Sequence, residues 1–171
     1  MFEVNESLEK GRTWTKKTLR LSTNNFLHSL FSQCNITINS VPITQSGDLY
    51  QYRSYLETLL TYCNDAATSH LTNSFLYLDG GDMLPCDPAT EDKSAPATNV
   101  GFITRWNKIK QSKEIQLYGR LHSDICNVSK FLIPGANLHI KLTKARSSFN
   151  LMNATADSKT TFKFLDCKII C

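Results

Sequence analysis

Several features that would assign this chain to a common class of protein are missing from its 171 residues. No apolar run approaches the roughly 18 residues that a transmembrane helix needs. The first ten residues carry three glutamates, where a secretory signal peptide would have an apolar segment. We therefore expect a protein without a membrane partner that is intracellular and not secreted.

The sequence patterns of common enzyme sites are also missing. There is no Gly-rich loop ending in Gly-Lys to hold phosphates, and no Gly-x-Ser-x-Gly turn. His122, Ser123 and Asp124 are the three side-chain types of a hydrolase triad, but neighbours on an extended strand point to opposite faces and cannot converge. We predict no catalytic residue, no enzyme activity and no cofactor, with Ser123 or Asp124 forming a turn at a strand end.

Six cysteines and four histidines occur without the spacing of a metal site. Cys167 and Cys171 have no second Cys or His pair nearby to complete a tetrahedral zinc site. A cupin-type enzyme would need at least three of the histidines and an acid to converge, and no His-x-His pair is present. We predict no metal and, in a reducing compartment, no disulfides. The other four cysteines are Cys34, Cys63, Cys86 and Cys126, and the four histidines are His28, His70, His122 and His139.

The charge of the chain identifies no particular partner. Its formal net charge is +4 and its pI is near 8.7, with basic residues spread over 16–20, 105–113 and 141–146. They lack the interleaved aromatic residues of a nucleic-acid stacking platform. We therefore expect a solvated basic face and no nucleic-acid reader.

Alternating apolar and polar residues predict four strands. Residues 30–38, 114–121 and 137–143 each show the period of two of a half-buried strand, and the last follows a turn at Pro134 and Gly135. Residues 160–170 carry apolar side chains in both alternate sets. This two-sided pattern predicts a central strand or one covered by a partner.

Helical spacing of apolar residues predicts a helix that begins after Asp48. Asp48 is a suitable N-cap, with Gln51 three residues later. Arg53 and Glu57 lie one turn apart and are expected to form an ion pair. The apolar positions of this helix share one face, which we expect to pack against a sheet. They are Tyr52, Tyr55, Leu56, Leu59 and Leu60.

A long loop is predicted at residues 79–99, which are rich in Gly, Pro and acidic side chains. Loops of this length inside compact domains are usually functional or mobile. Asn99 then caps a short helix or begins an extended segment that continues to Ile109. Alternating strands, one inserted helix and a long loop favour an antiparallel β-sandwich.

Four stretches together resemble the N-terminal part of the major capsid (hexon) protein of Polinton/Maverick elements and related adintoviruses. The similarity extends from about Asn24 to Ile170. No one stretch is specific, but their order and spacing carry the resemblance. They are residues 24–31, 52–60, 119–124 and 148–152.

The resemblance implies a mainly β, jelly-roll fold and a structural role. Full members of the family carry two jelly rolls and assemble as trimers into a virion shell, whereas 171 residues have room for one roll, whole or incomplete. We expect an N-terminal extension at residues 1–23 and one jelly-roll domain at 24–171 with the loop inserted at 79–99. The expected partners are copies of the chain or other jelly-roll capsid subunits. The alternative is a β-sandwich ligand-binding module without catalysis.

Overall fold

A computed structural model describes residues 2–7, 20–44, 47–80, 99–110, 113–153 and 162–169. The described residues form a mixed α/β structure with three small antiparallel sheets. Most of the predicted acidic loop, together with Cys86 and Cys171, lies outside the described residues.

The first sheet has three strands. It consists of β3 (Phe31–Ile38) between β4 (Val41–Pro42) and β6 (Leu138–Lys144). Ile36 of β3 lies opposite Ile140, and Cys34 lies opposite Leu142. The predicted strands at 30–38 and 137–143 are thus confirmed, because their alternating side chains form cross-strand pairs on one buried face.

The second sheet brings the first residues of the chain between two distant segments. Strand β1 (Phe2–Ser7) pairs with β5 (Ile115–Gly119) on one side and with β8 (Lys163–Ile169) on the other. The predicted strands at 114–121 and 160–170 are confirmed by β5 and β8. The third sheet is a ribbon of β2 (Arg20–Ser22) and β7 (Leu151–Asn153). Both β1 and β2 fall within the predicted extension 1–23 and pair with strands of the predicted domain 24–171.

Five α-helices connect these strands in the part of the chain that the structure describes. They are α1 (Phe26–Ser29), α2 (Tyr50–Thr61), α3 (Asn64–Thr68), α4 (Val100–Ile109) and α5 (Ser147–Asn150), with short 3₁₀ helices at His70–Ser74 and Asp124–Asn127. Asn99 caps α4 as predicted, because its side-chain oxygen accepts a hydrogen bond from the Phe102 backbone N–H at 2.9 Å.

The predicted N-cap of α2 is wrong. Leu49 occupies the cap position without a side-chain hydrogen bond, and the helix begins at Tyr50. The carboxylate of Asp48 instead accepts a hydrogen bond from Gln33 Nε2 at 2.6 Å. Asp48 therefore joins the start of the helix to β3 rather than capping the backbone.

The main core forms where α1 packs against β3 and β5. Aromatic rings surround Phe26 of α1, with Phe75 and Phe162 each at a centroid distance of 6.2 Å. Apolar burial of this extent is the main stabilising contribution to a domain of this size. The most deeply buried apolar residues are Leu27, Leu30, Ile36 and Leu117, each 0–1% exposed.

The orientation predicted for α2 is also wrong, because the apolar stripe of this helix faces outward. We call it the outer face of α2: Tyr52, Tyr55, Leu56, Leu59 and Leu60, which are 38–85% exposed. The buried residues of the helix are Tyr50, Ser54 and Thr58. Small polar side chains allow the helix to approach α1 and β3 closely, so they occupy the inner side. The large apolar ones lie outside, where Tyr52 packs edge-to-face against Phe149 at a centroid distance of 5.6 Å.

Strand β8 is an edge strand within the described sheets, since it pairs only with β1 there. The prediction of a central strand at 160–170 is therefore wrong. Two apolar residues of β8, Leu165 and Ile169, are instead 47% and 41% exposed, whereas Phe164 packs against the core. Cover by a partner, the second possibility, stays a prediction.

Arg105 does not lie on the expected solvated basic face. Its side chain is 0% exposed and pairs with Asp79, with Arg105 Nη1 at 2.9 Å from Asp79 Oδ1. Asn24 donates a further hydrogen bond to Asp79 Oδ2 at 3.1 Å. Asp79, the first residue of the predicted acidic loop, thus holds α4 against the segment that precedes α1.

The antiparallel strands and the inserted helix of the predicted fold are present, but the described residues are mixed α/β and not mainly β. The two facing sheets of a jelly roll stay a prediction. Among the described residues, no helix combines the length and the apolar character that crossing a bilayer requires.

Candidate functional site

The inner side of α2 covers a group of buried and partly buried titratable side chains. We call it the histidine cluster: His28, Tyr50, Glu57 and His122. His28 comes from α1, Tyr50 and Glu57 from α2, and His122 from the segment after β5. The cluster therefore joins three parts of the chain that are distant in sequence.

The two imidazole rings are in direct contact. The ring centroids of His28 and His122 are 4.5 Å apart in an edge-to-face arrangement, and the residues are 2% and 8% exposed. Tyr50 connects them, because its hydroxyl lies 3.2 Å from His28 Nδ1 and accepts a hydrogen bond from the His122 backbone N–H at 3.4 Å. The first residue of α2 is thus fixed to both histidines.

Glu57 is the acidic member of the cluster. Its Oε2 lies 3.3 Å from His122 Nδ1, and its Oε1 accepts a hydrogen bond from Asn127 Nδ2 at 2.9 Å. Arg53 Nε lies 3.8 Å from the same carboxylate, which confirms the predicted Arg53–Glu57 pair. Glu57 can therefore orient the His122 imidazole and offset one positive charge on it.

Burial sets the protonation of the cluster. It lowers the pKa of His28 well below the usual value, and the adjacent His122 lowers it further. The pKa of His122 is also lowered by burial, with Glu57 acting in the opposite direction. Burial raises the pKa of Tyr50. At neutral pH both imidazoles are therefore uncharged, and the Tyr50 phenol is protonated.

A cavity of about 540 Å³ opens beside the cluster. Its polar wall includes Arg53, His122, Ser123 and Asp124, and its apolar wall includes Leu49. Asp124 accepts a hydrogen bond from Arg53 Nη2, and this bond raises the pKa of the guanidinium. The charges at the entrance of the cavity therefore offset each other.

His122, Ser123 and Asp124, which have the side-chain types of a triad but were not expected to form one, are near one another and have different partners. His122 contacts Glu57, Asp124 binds Arg53, and the buried Ser123 Oγ has no hydrogen-bond partner within the described structure. Ser123 precedes the 3₁₀ helix that begins at Asp124, and its carbonyl accepts a hydrogen bond from the Cys126 N–H at 3.0 Å. A turn at this position agrees with the prediction for Ser123 and Asp124.

The remaining histidines do not join the cluster. His70 packs against Tyr62 with ring centroids 5.6 Å apart, and His139 is exposed on β6. Over the described ranges, no three His, Cys, Asp or Glu side chains are placed to hold a metal ion. The convergence that a cupin-type site needs is therefore not found among them.

The described cysteines differ in environment. Cys34, Cys63, Cys126 and Cys167 are thiols. Burial raises the pKa of Cys34 to about 11, whereas backbone N–H groups of Ala66 and Asp65 lower the pKa of the exposed Cys63. The prediction for the whole set of cysteines stays a prediction, because Cys86 and Cys171 lie outside the described residues.

The cluster has no contiguous sequence motif, because its members come from three distant segments. One sequence signal for it exists on α2. Tyr50, Ser54, Glu57 and Thr58 form a polar stripe with helical spacing, opposite the apolar stripe. Had the apolar stripe been interpreted as outward-facing, this second stripe would have indicated polar groups beneath the helix.

No family model, curated protein or solved structure matches this chain. The resemblance to the Polinton/Maverick capsid protein therefore stays a prediction.

Proposed function

We propose that the protein is a non-enzymatic structural subunit that works by associating with copies of itself. More specifically, we propose that this subunit is a shell component of the jelly-roll capsid type, as the sequence resemblance implies. The observation that carries the proposal is the inverted helix α2, which buries Ser54 and Thr58 and leaves its large apolar residues in water.

Exposed apolar stripes of this kind are unusual in monomeric proteins. A surface helix normally presents charged or polar residues to solvent. The five residues of the outer face follow the i, i+3, i+4, i+7, i+8 spacing with which helices dock into apolar partners. Contiguous apolar patches on soluble proteins mark interaction sites, so this face supports an assembly role.

The expected strength of the contact follows from the exposed fractions. Burying one large apolar side chain completely stabilises by about 1.5–3 kcal/mol. The five side chains are about half exposed on average, so covering them gains on the order of 5 kcal/mol for each copy. Association costs about 4–15 kcal/mol in lost freedom. A dimer formed through this face alone would therefore be weak and would depend on concentration.

Charge favours a second copy as the partner. Arg53 borders the outer face, and its positive charge is offset within one copy by Glu57 and Asp124. Because this border carries no unpaired charge, two copies of it do not repel each other. Two copies can therefore meet through the same face, which is the arrangement of a two-fold dimer.

Strand β8 supplies a second surface for assembly. Its outer edge presents backbone groups that do not pair within the described sheets, and Leu165 and Ile169 are partly exposed. Open edges of this kind can accept a strand from another chain. Two separate surfaces on one subunit allow assemblies larger than a dimer.

Sedimentation velocity at increasing protein concentration tests the proposal. We expect the wild type to form dimers or larger species. The double variant Leu59→Gln and Leu60→Gln should weaken this association at least tenfold, because it places amides in the outer face. The control is Leu78→Gln, since Leu78 is also exposed, at 49%, and lies outside α2. A wild type that remains monomeric at every concentration would overturn the proposal.

A further inference from the structure

We propose that the histidine cluster is an acid-sensitive contact that holds α2 in place, so that acidification loosens α2 and weakens self-association through its outer face. This inference rests on the proposed function and names the regulation of the same helix.

The attachment of α2 to the rest of the chain depends strongly on the cluster. Tyr50 is the only large side chain among the buried residues of the helix. The buried hydroxyls of Ser54 and Thr58 bond backbone carbonyls of the helix itself, at 2.8 Å and 2.7 Å. These two hydrogen bonds therefore do not link α2 to α1 or β3. Tyr50 and Glu57, which both contact the histidines, are therefore important anchors of the inner side.

The cluster can accommodate one added positive charge but not two. Protonation of His122 would be offset by Glu57 at 3.3 Å. A second proton on His28 would place two imidazolium rings 4.5 Å apart, with one carboxylate beside them. Burial and like charge both oppose this state. It becomes accessible when α2 moves away and water reaches the rings.

Several other described groups lie near the two rings. Gly119 of β5 lies against His28, since a Cβ added to it would lie 3.3 Å from His28 Nε2. Because glycine has no side chain, this position brings no charge to the ring. Arg53 and Arg120 act against charge on His122. The carboxylate of Asp124 is exposed and engaged by Arg53. Among the described residues, the titratable groups that act on the rings or on their direct neighbours include Cys34, Tyr50, Arg53, Glu57, Arg120, Asp124 and Cys126.

The sign of the pH dependence follows from the lowered pKa values. With α2 closed, the pKa of His28 lies well below 6.5 and that of His122 is also lowered, whereas in the open form both histidines bind protons near pH 6.5. The closed form is thus fully favoured above about pH 6.5 and loses stability as the pH falls below it. Each histidine can raise the opening equilibrium constant by up to about tenfold for each pH unit in this range.

Hydrogen exchange of the α2 amides tests the contact itself. It is measured at a concentration below that of self-association, at pH 7.5 and 5.5, with correction for intrinsic rates. We expect the opening constant of wild-type α2 to rise by up to about 100-fold on acidification. His28→Gln retains a hydrogen-bonding group but cannot titrate, so it should reduce the rise to about tenfold or less. His122→Gln is the second variant should His28→Gln fail to fold.

The control variant is His139→Gln, because His139 is exposed on β6 and lies outside the cluster. It should behave as the wild type does. An α2 opening constant that does not change between pH 7.5 and 5.5, or the same rise in both cluster variants as in the wild type, would overturn the inference.

Sedimentation at the same two pH values links the contact to assembly. We expect wild-type association to weaken at pH 5.5, and the weakening to be smaller in the cluster variants. Association that is present at both pH values but unchanged would overturn the inference and leave the proposed function intact. No association at either pH, with α2 opening still dependent on pH, would overturn the proposed function and the regulatory role together.

Discussion

Replacing Asp79 by Asn should destabilise the fold by several kcal/mol, because it leaves the charge of Arg105 buried without its counter-ion. Asp79 Oδ1 lies 2.9 Å from Arg105 Nη1, and Asp79 Oδ2 accepts a hydrogen bond from Arg105 Nη2 at 3.2 Å. The Arg105 side chain is 0% exposed, and its Nε already lacks a hydrogen-bond partner in the described structure. The guanidinium therefore has no route to water without movement of α4.

The expected magnitude follows from this burial. Removing one partner of a buried ion pair costs about 3–5 kcal/mol. Because the Asp79 side chain is 20% exposed, we expect the lower end, about 3 kcal/mol. This is a large fraction of the roughly 5–15 kcal/mol that stabilises a typical domain. For a chain of this length it corresponds to a fall in Tm of about 6–12 °C.

Urea denaturation followed by circular dichroism measures the effect, with an unchanged m value showing that the unfolding transition is the same. Asp124→Asn is the matched control. Asp124 also binds an arginine, but its side chain is 89% exposed, so its loss should cost less than about 1 kcal/mol. Arg105→Met, added to Asp79→Asn, should recover stability because it removes the unpaired charge. Equal and small losses for the two asparagine variants would refute the reasoning.

Two further predictions concern close packing and thiol reactivity. Gly101→Ala should destabilise the fold in the same urea assay, because the added Cβ would lie 2.4 Å from the Leu78 carbonyl oxygen. Gly80→Ala is the control and should have a much smaller effect, because its added Cβ meets nothing within 4 Å. Cys63 should react with iodoacetamide at pH 8 much faster than Cys34, because burial raises the pKa of Cys34 to about 11. Mass spectrometry of partly labelled protein measures the two rates. Equal rates would contradict this account.

The strands were predictable because their signal is local. Alternation along β3, β5 and β6 identifies a buried face from neighbouring residues alone. Strand β1 carries the same alternation over only six residues, and its partners lie more than 100 positions away in the sequence. No local pattern indicates such a pairing, so these residues were assigned to an extension.

Helix α2 shows what periodicity cannot determine. Spacing identifies which residues share a face, but not whether that face points toward the core. Here the side that approaches α1 and β3 carries Ser54 and Thr58, and the larger residues remain outside. The buried Arg105 was missed for a related reason, since its partner Asp79 lies 26 positions earlier and charge normally indicates exposure.

The position of β1 between β5 and β8 has a consequence for synthesis of the chain. Phe2 lies opposite Ile169 in the sheet, so one side of β1 can pair only after β8 has also been made. At about 5–20 residues per second, the interval between translation of the two strands is roughly 8–30 s. During that time β1 has unpaired backbone groups near the ribosome. Newly made chains should therefore depend on chaperones more than a protein with local strand pairs.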